Sequence, residues 1–195
     1  KHLEVCFELA DRLGGYMSDP GQTEVREISN HPFAQAALDH EMSPEAFVAA
    51  LGALDDQLDL NLDVARLHAS RNDVIRQALR LIIADKQRHV MFAWAFLSSR
   101  LGALDDAGGK AVVTAVHQLL EQVILRGYRN TCLLPNEARE PWLEAEEKTA
   151  QHGLGAANAE TERRVLAVTV AQLRERLAVW GLELPTATHA DLGEI

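Results

Sequence analysis

The chain has 195 residues, of which 47% are hydrophobic and 25% charged, a balance typical of globular proteins. Its net charge of -10 and sequence pI near 5.2 argue against nucleic acid or an anionic membrane surface as a partner. The longest wholly apolar run, residues 90–97, is too short to cross a bilayer. Two cysteines without metal-type spacing, Cys6 and Cys132, and no signal-peptide pattern predict a cytoplasmic protein with free thiols.

Hydrophobic spacing predicts an all-α fold, because apolar residues recur every three or four positions along most of the chain. Capping residues and proline or glycine breaks separate the helices. The predicted helices cover residues 2–13, 23–29, 32–40, 44–68, 73–100, 110–126, 137–152 and 158–181. We predict that residues 1–183 form a single helical-bundle domain and that residues 184–195 form an irregular C-terminal tail.

One hexapeptide, Leu-Gly-Ala-Leu-Asp-Asp, occurs twice, at residues 51–56 and 101–106. The flanking residues differ, so the two copies do not mark a structural repeat. The first copy lies inside a predicted helix. The second follows a helix whose end at Leu101-Gly102 suits a left-handed glycine cap. The same six residues are therefore predicted to take two conformations.

The central predicted helix combines apolar and ionisable residues on one stripe. Its members share three- and four-residue spacing: Ile75, Leu79, Ile82, His89, Ala93 and Phe96. Asp85 and Lys86 precede His89 by four and three residues and flank the same stripe. Burying an acid, an ammonium and an imidazole is costly unless they are paired or hold a metal. This stretch is therefore the first candidate for a functional site, with His89 predicted to point into the bundle.

The stretch Asp85-Lys86-Gln87-Arg88-His89, with Phe92-Ala93 after it, resembles a known signature. It is similar to the Asp-Glu-x-Arg-His-x-x-Phe-Ala pattern of ferritin-like di-iron proteins, in particular the p-aminobenzoate N-oxygenase type. The resemblance implies a ferritin-like helical bundle with extra short helices, non-haem iron and oxygen chemistry. His89 matches the ligand histidine of the Glu-x-x-His motif. Lys86 stands where the ligand glutamate is expected, and a protonated lysine cannot coordinate a metal.

Further metal ligands are predicted on other helices. Asp55 and Asp59 border the inward stripe of the helix over 44–68, whose members are Phe47, Leu51, Leu54, Leu58, Leu62 and Ala65. They lie roughly thirty residues before His89, a separation that resembles that of the first carboxylate ligand in ferritin-like proteins. Asp56 and Asp63 are predicted to be solvated. Glu4, on the first predicted helix, is a further candidate.

A last pair of candidates is His117 and Glu121, four residues apart on the next helix, as Asp85 and His89 are on theirs. If these two helices pack antiparallel, the four side chains would form a small metal site or a hydrogen-bonded network. The alternative interpretation is surface ion pairing plus one core histidine whose hydrogen bonds are satisfied.

A second resemblance supplies an alternative fold. His31-Pro32-Phe33 with Gln35 and Ala37-Leu38, followed by residues 42–47, is similar to the opening of haem-oxygenase-like bundles, including thiaminase-type proteins. Most of that similarity is a proline-capped helix start.

Three functions follow as hypotheses. The first is a divergent ferritin-like metalloenzyme that oxidises or oxygenates a small organic substrate with O2, using di-iron or a single metal ion. The second is a metal-independent enzyme in which Lys86 acts as Schiff base or general base and His89 shuttles protons. The third is a non-catalytic bundle that binds an apolar ligand or serves as a companion subunit. A homodimer is compatible with each.

Overall fold

Five helices form the bundle in the part of the chain that the structure, a computed structural model, describes: residues 42–134 and 136–195. Helix α1 consists of Pro44–Phe47, a π-helical Val48–Asp55 and Asp56–Ala69. The other four are α2 (Asp73–Arg100), α3 (Asp106–Gln122), α4 (Asn136–Gln151) and α5 (Ala159–Ala178). These helices confirm the predicted all-α helical bundle. The predicted helices before residue 42, and Glu4 with them, lie outside the described residues.

Short polar side chains begin the helices, as the sequence predicts. The Ser43 hydroxyl accepts a hydrogen bond from the Ala46 amide at 3.2 Å. The Asn72 side chain accepts from the amides of residues 74 and 75 at 3.0 and 3.2 Å. The Asn158 side chain accepts from the Thr161 amide at 2.8 Å. Asp105, in the second copy of the hexapeptide, caps α3 by accepting from the Gly108 amide at 2.8 Å. This second copy is a helix-to-helix connection and the first copy is helical, as predicted. The predicted left-handed glycine cap is wrong, because Gly102 lies in a 3-10 turn, Leu101–Ala103, and does not have a positive φ.

Helix α1 is the centre of the bundle, with α2, α3 and α5 packed around it. These four helices contribute aliphatic side chains to one continuous core: Leu54, Leu58, Leu62, Leu97, Val112, Val116, Leu120, Leu166, Val170, Leu173 and Leu177. Phe47 was predicted on the inward stripe but is 39% exposed. The π-helical segment rotates the residues before it relative to those after it, so one α-helical stripe does not continue through both. Among the described helices, none combines the length and apolar character that crossing a membrane requires.

Helices α1 and α2 approach each other closely at Gly52, inside the π-helical segment. A Cβ atom added to Gly52 would lie 2.5 Å from the Cβ of Ala93, closer than real Cβ contacts allow. Two residues with almost no side chain thus let the two backbones meet, and this contact brings the following turns of α1 and α2 into register.

We expect Gly52→Ala to lower the free energy of unfolding by about 1–3 kcal/mol, because the added methyl overpacks the contact with Ala93. Denaturant unfolding would measure the loss. The control is Gly102→Ala at the same position of the second hexapeptide copy, where the nearest atom to an added Cβ is 3.8 Å away. Adding Ala93→Gly to Gly52→Ala should recover part of the loss. Equal stability of the two alanine variants would contradict the packing argument.

Residues 184–195 do not form the predicted irregular tail but a small hairpin packed on the core. Strands β1 (Thr188–His189) and β2 (Gly193–Glu194) pair antiparallel, and Leu184 and Ala187 are buried. The Arg174 guanidinium donates to the backbone carbonyls of Leu184 at 3.2 Å and of Ile195 at 3.0 Å. The segment has no helical periodicity because its order comes from strand pairing, from the burial of Leu184 and Ala187, and from contacts with Arg174 and Arg139.

Candidate functional site

Three aspartates line one face of α1 next to α2. Asp55, Asp59 and Asp63 are four residues apart, a spacing that stacks side chains one above the other on a helix. Asp55 and Asp63 are buried, and only 13% of the Asp59 side chain is exposed. Three carboxylates in one buried row repel one another and require cations nearby.

Lys86 supplies the cation between two of them. Its ammonium group donates to a carboxylate oxygen of Asp59, and to Oδ2 of Asp63 at 2.6 Å. Only 12% of the Lys86 side chain is exposed. The prediction that Lys86 faces the bundle interior is therefore confirmed. The two contacts are charge-assisted hydrogen bonds that join α2 to α1.

Arg129 neutralises the first aspartate of the row. Its Nε and Nη2 atoms donate to the two carboxylate oxygens of Asp55 at 2.9 and 2.7 Å, a bidentate pair. Its Nη1 atom lies 3.5 Å from Oδ2 of Asp59. Burial acts to lower the pKa of the Arg129 guanidinium, but the hydrogen bond and charge of Asp55 outweigh it, and the net shift is upward. Gly127, with φ of +92°, turns the chain after α3 so that Arg129 reaches α1.

Arg66 is the third cation that contacts these aspartates. Its Nη1 atom donates to Oδ1 of Asp63 at 3.0 Å. The three aspartates thus meet three cations, Lys86, Arg129 and Arg66, and the formal charges of these six side chains cancel. We call these six residues the ion-pair cluster. It joins α1, α2 and the connection after α3.

At the exposed edge of the ion-pair cluster lies Asp56. Burial, and then the neighbouring charge of Asp55, raise its pKa, while the charges of His89 and Arg129 oppose that shift. His89 is exposed, so the prediction that its ring points into the core is wrong. The stripe that faces the bundle consists of Leu79, Ile83, Lys86, Val90, Ala93 and Leu97, in which Val90 takes the place predicted for His89.

The remaining predicted ligands are dispersed. Asp85 is an ion-pair partner of Arg88 at 3.7 Å on the outer side of α2. His117 and Glu121 pair with each other on α3, with Nε2 and Oε2 3.3 Å apart, which fits the surface-pairing alternative. Across residues 42–134 and 136–195, no three histidine, cysteine, aspartate or glutamate side chains are arranged to hold a metal ion. Of the predicted residues, Asp55, Asp59 and Lys86 come together.

The sequence interpretation missed Asp63, predicted to be solvated, and Arg129. The row of aspartates at positions 55, 59 and 63 was a visible signal for Asp63. Arg129 carried none, because it follows an irregular stretch and meets Asp55 across 74 positions of the chain.

A second buried polar group surrounds Glu162 in the first turn of α5. Glu162 is 2% exposed and Asn130 and Cys132 are fully buried. The Asn130 amide donates to the Glu162 backbone carbonyl at 3.4 Å. Within the described residues, Oε2 of Glu162 and Oδ1 of Asn130 are buried without a hydrogen-bond partner.

These surroundings raise the pKa of the Glu162 carboxyl and of the Cys132 thiol. Burial, and then the charge of Glu146, raise the pKa of Glu162 to about 7. Burial, and then the charge of Glu162, raise the pKa of the Cys132 thiol to about 11. Cys132 is therefore an unreactive thiol at neutral pH.

The ion-pair cluster does not fit an iron centre. A metal needs carboxylate oxygens that are not already held by cations, and it needs further ligands in the open positions. Here Asp55 is held by Arg129, Asp63 by Arg66 and Lys86, and the Lys86 ammonium lies where a bridging cation would lie. His89, the expected nitrogen ligand, is exposed on α2.

Comparisons of the chain with protein-family models, with curated proteins and with solved structures gave no match. The kinship with ferritin-like di-iron proteins stays a prediction from residues 85–93.

Proposed function

We propose that this bundle is a metal-independent, non-catalytic protein that acts by contact with another polypeptide, as a companion subunit does. The observation that carries the proposal is the position of Lys86 between the carboxylates of Asp59 and Asp63, 2.6 Å from Oδ2 of Asp63. An ammonium at that point supplies the positive charge that a metal would supply, and it supplies no redox chemistry.

The ion-pair cluster is better suited to holding helices together than to catalysis. Schiff-base formation needs the Lys86 nitrogen to be open to a carbonyl substrate, whereas this atom donates to the carboxylates of Asp59 and Asp63 and only 12% of the side chain is exposed. Proton shuttling by His89 needs a partner that changes charge, but the aspartates of the cluster are each held by cations. The second hypothesis, an enzyme built on Lys86 and His89, is therefore less well supported than a structural cluster.

The surface of α2 is the second support. Leu81, Met91 and Phe92 are exposed although they are large and apolar. Large apolar side chains exposed on one side of a helix favour contact with another molecule, which would remove them from water. The buried charges of the ion-pair cluster compensate one another, and large apolar side chains are exposed on α2. Both features suit a protein that binds another polypeptide.

Elemental analysis of the full chain, purified from cells supplied with iron and manganese, tests the proposal. We expect clearly substoichiometric metal in the wild-type protein. Lys86→Glu is the matched variant, because it replaces the ammonium by a third carboxylate beside Asp59 and Asp63, and we expect it to retain more divalent metal. Circular dichroism would verify that both proteins are folded. Stoichiometric iron or manganese in the wild type, lost in Asp59→Asn, would overturn the proposal.

A further inference from the structure

Helix α2 carries a second apolar stripe on the side that faces away from α1. Leu81, Met91 and Phe92 are 62%, 70% and 67% exposed, and Val74 lies on the same side at 44%. The rings of Phe92 and Phe96 stack with centroids 6.4 Å apart. The inward stripe, through Val90 and Leu97, packs on α1. The described bundle therefore leaves the second apolar stripe of α2 uncovered.

The length of this face suits pairing with another helix. A 28-residue helix is about 42 Å long, which is longer than most helices in small domains. Exposed apolar side chains at positions 74, 81, 91 and 92 are distributed along that length. A single partner helix lying along α2 would cover them together.

The outer face of α2 is complementary to itself when two copies run antiparallel. A two-fold axis at the level between Lys86 and Gln87 is equally distant in sequence from Leu81 and Phe92. It is also equally distant from Asp85 and Arg88. Each Leu81 then lies level with Phe92 of the second copy, and each Asp85 lies level with Arg88 of the second copy. Two apolar contacts and two opposite-charge contacts result from one register, as an isologous interface requires.

We propose that the outer face of α2 is the interface of an antiparallel, two-fold symmetric homodimer. Asp85 and Arg88 already lie 3.7 Å apart within one helix, so the dimer would join two such pairs into a four-membered network. The proposal deepens the function proposed above, because it names a second copy of this chain as the polypeptide that covers the apolar side of α2, and it holds whether or not the ion-pair cluster excludes a metal. Residues 1–41 of the same chain, or an unrelated protein, are the other possible occupants of this face.

Sedimentation equilibrium of the full chain over a range of concentrations tests the dimer. We expect a reversible monomer–dimer equilibrium, and at least a ten-fold increase of the dissociation constant in Phe92→Glu and in Leu81→Glu. Val179→Glu is the matched control, because Val179 is 77% exposed directly after α5 and is not part of α2, so its replacement should leave the dimer unchanged.

Charge exchange tests the register. D85R and R88D should each dissociate the dimer, because each places like charges level with one another. An equimolar mixture of the two variants should form a heterodimer, since every D85R chain then meets complementary charges on an R88D chain. No contact within one chain explains recovery on mixing.

Three results would overturn the proposal. One is a wild-type chain that stays monomeric at all concentrations. Another is a dimer that neither Phe92→Glu nor Leu81→Glu weakens. The third is a monomer whose melting temperature falls in Phe92→Glu but not in Val179→Glu, which would assign the face to residues 1–41. Metal content does not enter these measurements, so failure of the dimer and failure of the proposed function are distinguishable.

Discussion

Replacing Lys86 by methionine is expected to lower the free energy of unfolding by about 3–5 kcal/mol, since it leaves buried charges without their partner. Methionine retains most of the volume and the apolar stem of lysine, so packing is largely preserved. Asp63 would keep Arg66 at 3.0 Å, and Asp59 would keep only the longer contact of 3.5 Å with Arg129. Chemical denaturation monitored by circular dichroism would measure the loss.

The control for this experiment is Lys148→Met, which breaks the exposed i,i+4 pair of Lys148 with Glu144 on α4. Exposed ion pairs are screened by solvent, so no measurable change in the free energy of unfolding is expected for Lys148→Met. Adding Asp59→Asn to Lys86→Met should recover part of the lost stability, because it removes one of the two carboxylates deprived of the ammonium. A Lys86→Met protein as stable as the Lys148→Met protein would show that the ion-pair cluster does not stabilise the bundle.

The order of the helices could be predicted because their ends are determined locally. Asn72 and Asn158 are capping residues at the predicted positions, and α2 spans the predicted residues 73–100. The repeated hexapeptide shows where local information is sufficient. Gly102 follows a long helix and precedes the capping residue Asp105, so a connection was predictable, whereas Gly52 lies between apolar turns and was predicted within a helix.

The face of α2 that meets the bundle was only partly predictable from spacing, because two overlapping apolar stripes recur at helical intervals. The predicted stripe through His89 and the observed stripe through Val90 share Leu79 and Ala93. Packing against α1 selects the second, in which Val90 is buried and His89 is exposed. Lys86 borders both stripes, so its inward position was predicted correctly although that of His89 was not.

The π-helical segment of α1 carried no sequence signal either. Its residues, Val48–Asp55, are mostly small and apolar and suit an α-helix equally well. The wider turn rotates Phe47 to the surface and ends at Asp55, the first residue of the ion-pair cluster. A change of helical period within one helix depends on tertiary packing, which a stripe of fixed period cannot report.

Glu162 shows the same limit for a single side chain. Glu160 and Glu162 stand together in the first turn of α5, where acidic residues favour the positive end of the helix dipole. The structure exposes Glu160 and buries Glu162 beside Asn130 and Cys132. Only the position of the connection between α3 and α4 distinguishes the two glutamates, so the sequence alone could not predict which of them is buried.

Burial of Glu162 makes the stability of the bundle depend on pH. Its pKa of about 7 in the folded protein lies above the ordinary value of 4.5. The folded protein therefore holds a proton that the unfolded chain releases between these values. The stabilisation is complete below about pH 4.5 and is lost as pH rises through 7, by about 3 kcal/mol in total.

Glu162→Gln should remove this dependence, because the glutamine amide stays neutral and has nearly the shape of the protonated carboxyl. We expect the wild type to be less stable than Glu162→Gln at pH 8, and the difference to shrink or reverse at pH 5. Denaturant unfolding of both proteins at half-unit pH steps would measure it. Glu160→Gln, an exposed neighbour in the same turn, should keep the wild-type profile. If the profiles of the wild type and Glu162→Gln run parallel from pH 5 to 8, Glu162 is ionised throughout, and the connection around Asn130 must then supply the unpartnered Oε2 atom with a hydrogen-bond donor.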